Sequence, residues 1–429
     1  PLPNGNILAI AWETKTAQEA NAAGRRPDLV PQKGVWPDKI IEIEPQFPNG
    51  ANIVWEWHAW DHLIQDFDPD KNNYGKPSEH PELLNVNGDG KPMEIDAEEL
   101  ARLKALGYVP DDADEEDLRS DMFHYNAIDY NEELDQIAIS SYHLNEVFII
   151  DHSTSTEEAA SHDGGRWGKG GDLLYRWGNP KNYNRGTVED QQSFNQHDVT
   201  WIDKDYPGAG NLLFYNNNVK GPDGDYSAVY ELEIPTNADG SYVIPNEGAI
   251  GPVAPIWKYE APDQTSFHSP FISGARRLSN GNTLIAEGDD GRFFEVSPKG
   301  DIVWEFREPF SGGFEEETKG PGGASFPHST FRISRITPDS PPLRGRDLKP
   351  LDPQPETLAE REGKENPVAR GLRLHTKKAA PGYVAYNPLL SDTTYLINEL
   401  GLVVHTWKSA YTPSGSVYLL EDGHFLRGA

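Results

Sequence analysis

Along most of this chain, apolar and polar residues alternate in short runs, and the runs end repeatedly on tryptophan. Lys39-Ile40-Ile41-Glu42-Ile43 is followed by Asn52-Ile53-Val54-Trp55-Glu56-Trp57, and Glu146-Val147-Phe148-Ile149-Ile150-Asp151 by Asp172-Leu173-Leu174-Tyr175-Arg176-Trp177. The same succession joins Val229-Tyr230-Glu231-Leu232 to Ile256-Trp257-Lys258-Tyr259, Arg292-Phe293-Phe294-Glu295-Val296 to Ile302-Val303-Trp304, and Thr394-Tyr395-Leu396-Ile397 to Val403-Val404-His405-Thr406-Trp407. Runs of this period, bounded by turn residues, predict paired antiparallel strands. A second element recurs: Leu2-Pro3-Asn4-Gly5-Asn6-Ile7-Leu8, Leu278-Ser279-Asn280-Gly281-Asn282-Thr283-Leu284 and Leu420-Glu421-Asp422-Gly423-His424-Phe425-Leu426. Asn-Gly or Asp-Gly between apolar runs predicts a tight hairpin. An inner pair is visible at 128–130 with 136–140 and at 199–202 with 212–215.

Four-stranded units recurring roughly every 40–70 residues predict a β-propeller. Five units end on tryptophan, and the half-units at 1–12 and 416–426 imply one more. The expected class is therefore all-β: a six-bladed β-propeller of four-stranded antiparallel blades. Its blades span 1–337, with a polar insertion at 61–120 that carries a small helix. The Pro- and charge-rich stretch 338–372 reads as a linker, and 373–429 as a further blade and half-blade completing the same or a neighbouring propeller.

Composition agrees with many short strands, since 10% of residues are aromatic and there are 40 Gly and 35 Pro. The net charge of −31 repels nucleic acid and anionic membranes, so no nucleic-acid partner is expected. The absence of cysteine excludes disulfides and thiolate metal sites. No apolar run approaches the ~20 residues that span a bilayer. Residue 1 is Pro, which reads as a start removed from a longer chain.

Three histidines precede the first strands of successive blades: His124 in Phe123-His124-Tyr125-Asn126, His197 in Gln196-His197-Asp198, and His268 in Phe267-His268-Ser269-Pro270. In a propeller those positions line one end of the central channel. Imidazoles meeting there could serve as nucleophile, acid or base, or ligate a metal. In the insertion, Asn85-Val86-Asn87-Gly88-Asp89-Gly90-Lys91-Pro92-Met93-Glu94-Ile95-Asp96 has the rhythm of an EF-hand loop. Asn85, Asn87, Asp89, the Lys91 position and Asp96 would be the Ca²⁺ ligands; the plainer reading is a pair of turns before a helix.

As a set, His124-Tyr125-Asn126-Ala127-Ile128-Asp129-Tyr130-Asn131, Gly170-Gly171-Asp172-Leu173-Leu174-Tyr175-Arg176-Trp177-Gly178-Asn179-Pro180, Gln196-His197 and 273–285 resemble the bacterial arylsulfate sulfotransferases. The resemblance covers nearly the whole chain. It implies a six-bladed propeller exported to the periplasm or beyond, with no organic cofactor. It also implies transfer of a sulfuryl group from an aryl sulfate to a phenol through a sulfohistidine. Carried over by motif, His268 is the nucleophile, His124 and His197 bind sulfate or act as acid and base, and Arg276 and Asn126 contact substrate. The family's arginine after an Asn-Gly turn falls near Asn216-Asn217-Asn218-Val219-Lys220, where Lys220 offers a cation without the bidentate fork of arginine.

The resemblance also exposes an unexpected order. The stretch 395–420 looks like the beginning of such a propeller and 331–348 like its end, yet here the first follows the second. A closed ring tolerates permutation because each blade touches only its neighbours. Circular permutation, a tandem fragment, and a homo-oligomer or fibre with blades completed between chains all fit. The alternative function is accordingly a catalytically silent extracellular propeller for binding or assembly.

Overall fold

Both faces of the central strands are buried, and this fixes the architecture. In the computed structural model, which describes residues 1–47, 49–90, 97–105, 109, 111–310, 328–363, 368–389, 391–410 and 415–427, the strands form successive antiparallel sheets. β1 (Ile7–Trp12), β2 (Asp38–Pro45) and β3 (Ala51–His58) make the first; β4 (Leu63–Ile64) and β5 (Leu84–Asn85) are a short parallel pair in the insertion. β6 (Tyr125–Asn131), β7 (Gln136–Ser141), β8 (Glu146–Asp151) and β9 (Tyr175–Trp177) make the second blade. β10 (His197–Trp201), β11 (Leu212–Gly221), β12 (Gly224–Leu232) and β13 (Trp257–Tyr259) make the third. The fourth comprises β14 (Gly274–Arg277), β15 (Thr283–Glu287), β16 (Arg292–Val296) and β17 (Ile302–Arg307). β18 (Thr330–Ile336) is the inner strand of the fifth, and β19 (Gly371–His375) turns back to pair with β17. β20 (Tyr383–Pro388), β21 (Thr393–Ile397) and β22 (Val403–Lys408) then complete the sheet that β18 began.

Among the described residues the sheets therefore make five blades rather than the expected six, with three to five strands each. The sixth was counted from the two terminal half-units, and hydrogen bonding keeps these apart. Leu8 faces Glu42 within β1–β2, whereas Leu426 faces Tyr418 in the two-stranded hairpin of β23 (Val417–Leu419) and β24 (Phe425–Arg427). The stretch 338–372 holds a single 3-10 turn at Pro341–Leu343 and a helix at Leu358–Glu362 among its described residues before it enters β19.

Strand alternation sends successive side chains into different interblade cores. On β8, Phe148 and Ile150 pack with Trp55 and Trp57 of the first blade, while Val147 and Ile149 pack with Leu212 and Phe214 of the third. On β11, Leu213 and Tyr215 turn the other way, toward Phe267, Ile285 and Phe294. Sheets buried on two faces read as near-continuous apolar runs, which is the pattern of 146–151.

The recurring tryptophans tie each blade to the next. The Trp57 indole donates to the Gly171 carbonyl at 2.7 Å, Trp177 to Pro252 at 2.8 Å, Trp257 to Pro298 at 3.0 Å and Trp304 to Glu399 at 2.8 Å. Trp407 stacks on Phe425 of the final hairpin, with ring centroids 4.7 Å apart. A large ring with one polar corner suits a seam that is apolar inside and ends at a carbonyl. The blades so joined direct β6, β10, β14 and β18 toward one another.

Candidate functional site

Each of those four inner strands contributes a polar side chain to a common centre. Asp198 of β10 accepts from the Ala275 backbone N–H at 3.0 Å. Its other oxygen lies 3.1 Å from Arg276 Nη2 and 3.1 Å from Arg332 Nε. Arg332, on β18, also donates to the Asn126 carbonyl on β6 at 2.5 Å, and the Asn126 amide donates to the Gln196 carbonyl at 2.8 Å. Asp198 approaches so closely because residue 274 is glycine: a Cβ there would lie 2.2 Å from its oxygen. Two guanidiniums thus share one carboxylate. Asp129, which burial pushes up to about 6, is a second acidic neighbour of Arg276, and the Arg276 Nη1 donor is buried with no hydrogen-bond partner.

Of the three sequence-predicted histidines, His197 faces Arg332 and His124, and His268 is linked to His197 through Asn218 and Asn195. His124 lies 5.3 Å from the Tyr142 ring, and Tyr142 lies 5.8 Å from His197. A register shift in β11 between Asn216 and Val219 lets two successive side chains, Asn217 and Asn218, serve the site. Asn217 meets His197 Nδ1 at 2.9 Å, and Asn218 meets His268 Nε2 at 3.0 Å.

These contacts settle the proton positions. The Asn217 amide nitrogen donates to the carbonyls of Ser269 and Ile272, so its oxygen must accept. His197 Nδ1, which also faces the Asn195 carbonyl at 3.0 Å, therefore carries the hydrogen and leaves a lone pair on Nε2. The Asn218 amide nitrogen likewise donates to the Pro270 carbonyl, so His268 donates from Nε2 and keeps its lone pair on Nδ1.

Environment separates the charge states. Burial, helped by the charges of His124 and Arg332, pulls His197 down to about 3, so the ring is neutral. His268 is also lowered, by burial and by Lys220. Burial opposes the charged form of His124, but the hydrogen-bonded Asp121 carboxylate outweighs it and raises the ring above its ordinary value. Asp38, buried beside Asp121, is held well above the carboxylate range. Glu287, which accepts from the His268 backbone N–H, is pushed by burial up to about 7. The site thus gathers one histidine raised above the ordinary imidazole value, two lowered below it, and two guanidiniums beside the Asp198 and Asp129 carboxylates. Backbone strain gathers here as well, with φ of +51° at His124, +53° at Asn195, +59° at Asp198 and +50° at Ile272.

Other expected positions lie elsewhere. Lys220 sits on the β11–β12 hairpin with Nζ 2.6 Å from Asp225 and 62% of its side chain exposed. In the 85–96 loop, both Asp89 oxygens are held by Arg25, at 2.8 and 2.6 Å. The Asn87 oxygen accepts from the Arg26 backbone N–H, and the Asn85 oxygen from that of Asn87. Lys91 and Asp96 are outside the described residues. Asp121, His124 and His143 could instead hold a metal ion, their ligand atoms all lying within 4.8 Å of one another.

Sequence reasoning missed Arg332, Tyr142 and the Asn217–Asn218 pair as site residues, and His328. The signal for His328 was available: Pro327-His328-Ser329 before β18 parallels Phe267-His268-Ser269 before β14. His328 is buried, with Nδ1 2.8 Å from Glu308.

A family model described as arylsulfotransferase (ASST) matches residues 1–309. No curated protein matches the chain. Among solved structures, a protein of unknown function from Bacteroides caccae is 11% identical, with 70% of this chain and 68% of that chain covered and a TM-score of 0.33. Selenomethionine-substituted virginiamycin B lyase from Staphylococcus aureus is 12% identical, with coverages of 67% and 70% and a TM-score of 0.27. Structural likenesses this slight carry no argument about activity.

Proposed function

Given that this chain belongs to the arylsulfotransferase family, we propose that it moves a sulfuryl group from an aryl sulfate ester to a phenol at the channel site of His124, His197 and His268. The observation that carries this reading is the convergence of Arg276 and Arg332 on Asp198 beside two imidazoles that are neutral. Guanidiniums hold sulfate oxygens and offset charge that builds in the transition state. Arg332 fills the role that the sequence assigned to Lys220.

In the first half-reaction the His268 ring nitrogen not tied to Asn218 attacks sulfur. The sulfur–aryl oxygen bond breaks, and the departing phenolic oxygen takes a proton from the His124 imidazolium. In the second, an acceptor phenol gives its proton to His124 while its oxygen attacks sulfur, and the nitrogen–sulfur bond returns its electron pair to His268. His268 is preferred over His197 as nucleophile because it is half-buried and reachable, whereas His197 is 4% exposed and faces two cationic groups. His197 instead contributes a fixed neutral wall.

Family membership supports export to the periplasm or exterior, and no helix among the described residues is long and apolar enough to cross a membrane. Calcium at the 85–96 loop remains an untried part of this reading, and the Arg25–Asp89 pair and the engaged Asn85 and Asn87 oxygens weigh against it. The silent-propeller alternative gains no support from a channel that gathers so many charged groups. Turnover of 4-nitrophenyl sulfate with a phenol acceptor tests the proposal. Wild-type protein should transfer the group, and His268→Ala should lose about 10³-fold or more in kcat. Absence of transfer to any phenol defeats the reading, and full activity in His268→Ala removes His268 as nucleophile.

A further inference from the structure

Away from the channel, the strap after β3 meets the loop between β8 and β9 at a cluster the proposed reaction does not use. His62 is fully buried and its Nδ1 lies 2.9 Å from Asp172 Oδ1. The Nδ1 of His162 lies 2.7 Å from that same oxygen. His62 Nε2 lies 2.8 Å from the Ala159 carbonyl, which can only accept, so Nε2 carries the hydrogen. In a neutral His62 the Nδ1 lone pair then points at a carboxylate lone pair. That contact is repulsive unless a cation stands between them.

We propose that His62, His162 and Asp172 bind one zinc ion, with the Nδ1 atoms of both histidines and a carboxylate oxygen of Asp172 as ligands. The three atoms lie within 4.8 Å of one another. Tetrahedral zinc places its ligand atoms about 3.4 Å apart, so metal entry requires each histidine nitrogen to move only about 0.5–0.7 Å from the Asp172 oxygen. Two imidazoles and a carboxylate suit zinc better than calcium, which takes oxygen ligands. The Ala159 carbonyl supplies the outer hydrogen bond that fixes the tautomer of a metal-bound histidine and raises its basicity.

The surroundings hold the ligands in place. The Trp57 ring lies parallel to His62 at 5.6 Å, and its indole donates to the carbonyl of Gly171, the residue before Asp172. Residue 171 has no room for a side chain, since a Cβ would lie 2.0 Å from the Ala159 oxygen and 2.5 Å from His62 Nε2. On the other side His162 is open to solvent and lines a cavity of about 500 Å³ with Trp60, Tyr74, His80 and Leu83. Water completes the coordination on that side. A second proton on His62 would also relieve the repulsion, and metal titration separates the two cases.

The site is independent of the sulfuryl-transfer reading. Full-length protein stripped with a chelator and dialysed should bind zinc by calorimetry and gain thermal stability on adding it. His162→Ala, which alters a solvent-exposed ligand and leaves the core packing untouched, should lose one equivalent of zinc or weaken it at least tenfold, together with the zinc-dependent Tm shift. Asp172→Asn should do the same. Unchanged zinc stoichiometry and affinity in His162→Ala, or no zinc binding by the wild type, overturns the assignment.

Discussion

Arg332 reaches across the ring from β18 to Asp198 at the start of β10, with Nε 3.1 Å from Oδ1. The two residues are far apart in sequence, and the convergence of the inner strands β10, β14 and β18 makes them neighbours. Asp198 and the Asn126 carbonyl hold Arg332 in place through Nε and Nη2, so Nη1 is the nitrogen expected to meet an anion. Lysine keeps the charge and loses that geometry. Arg332→Lys should therefore lower kcat/KM for an aryl sulfate by about 10- to 100-fold. Lys220→Ala, whose ammonium pairs with Asp225 at an exposed hairpin, should leave it within about twofold. Steady-state kinetics on both variants checks the contrast.

His124 as the proton donor predicts a dependence on leaving group. Phenols that leave poorly need the proton most, so His124→Gln should slow 4-methylphenyl sulfate about tenfold more than 4-nitrophenyl sulfate. The donor must be protonated. Because Asp121 raises its pKa, activity should fall on the alkaline side only above the ordinary imidazole range. Asp121→Asn removes that support and should move the alkaline limb to lower pH.

His197 makes stability depend on pH in the opposite sense. Its folded value is about 3, below the unfolded 6.5, so between those values the unfolded chain binds more protons. Stability is fully present above about 6.5 and falls with acidification at up to roughly 1.4 kcal/mol per pH unit from this group. His197→Gln should flatten the slope between pH 6 and pH 4 in denaturant titrations.

Asn217 is fully buried, and its amide satisfies His197, Ser269 and Ile272 together. Asn217→Ala strands those partners in a dry site and should cost about 2–3 kcal/mol in chemical denaturation. Asn218→Ala, at a partly exposed position, should cost less and act mainly on kcat by releasing His268.

The repeating strands were legible because their signals are local. Trp57, Trp177, Trp257 and Trp304 mark outer strands by their place in an alternating run, and the same residues prove to be the interblade ties. The Asn-Gly and Asp-Gly turns were equally plain. His124, His197 and His268 stood out in the sequence as candidates because each lies at or shortly before the start of an inner strand. The site cations were harder to find. Lys220 was chosen for its nearness in sequence to an Asn-rich turn, while Arg332, on the far side of the 311–327 segment, gave no local sign of reaching β10.

Sequence by itself determined the strands, the turns and the all-β class, because each depends on residues a few positions apart. Tertiary structure alone decided the number of blades, since that rests on which edge strands pair: β23–β24 stays separate from β1. It also decided which cations meet Asp198, through contacts between the inner strands β10, β14 and β18. Finally it decided the proton affinity of the histidines, because burial of His197 and the Asp121 carboxylate beside His124 shift two identical side chains in opposite directions.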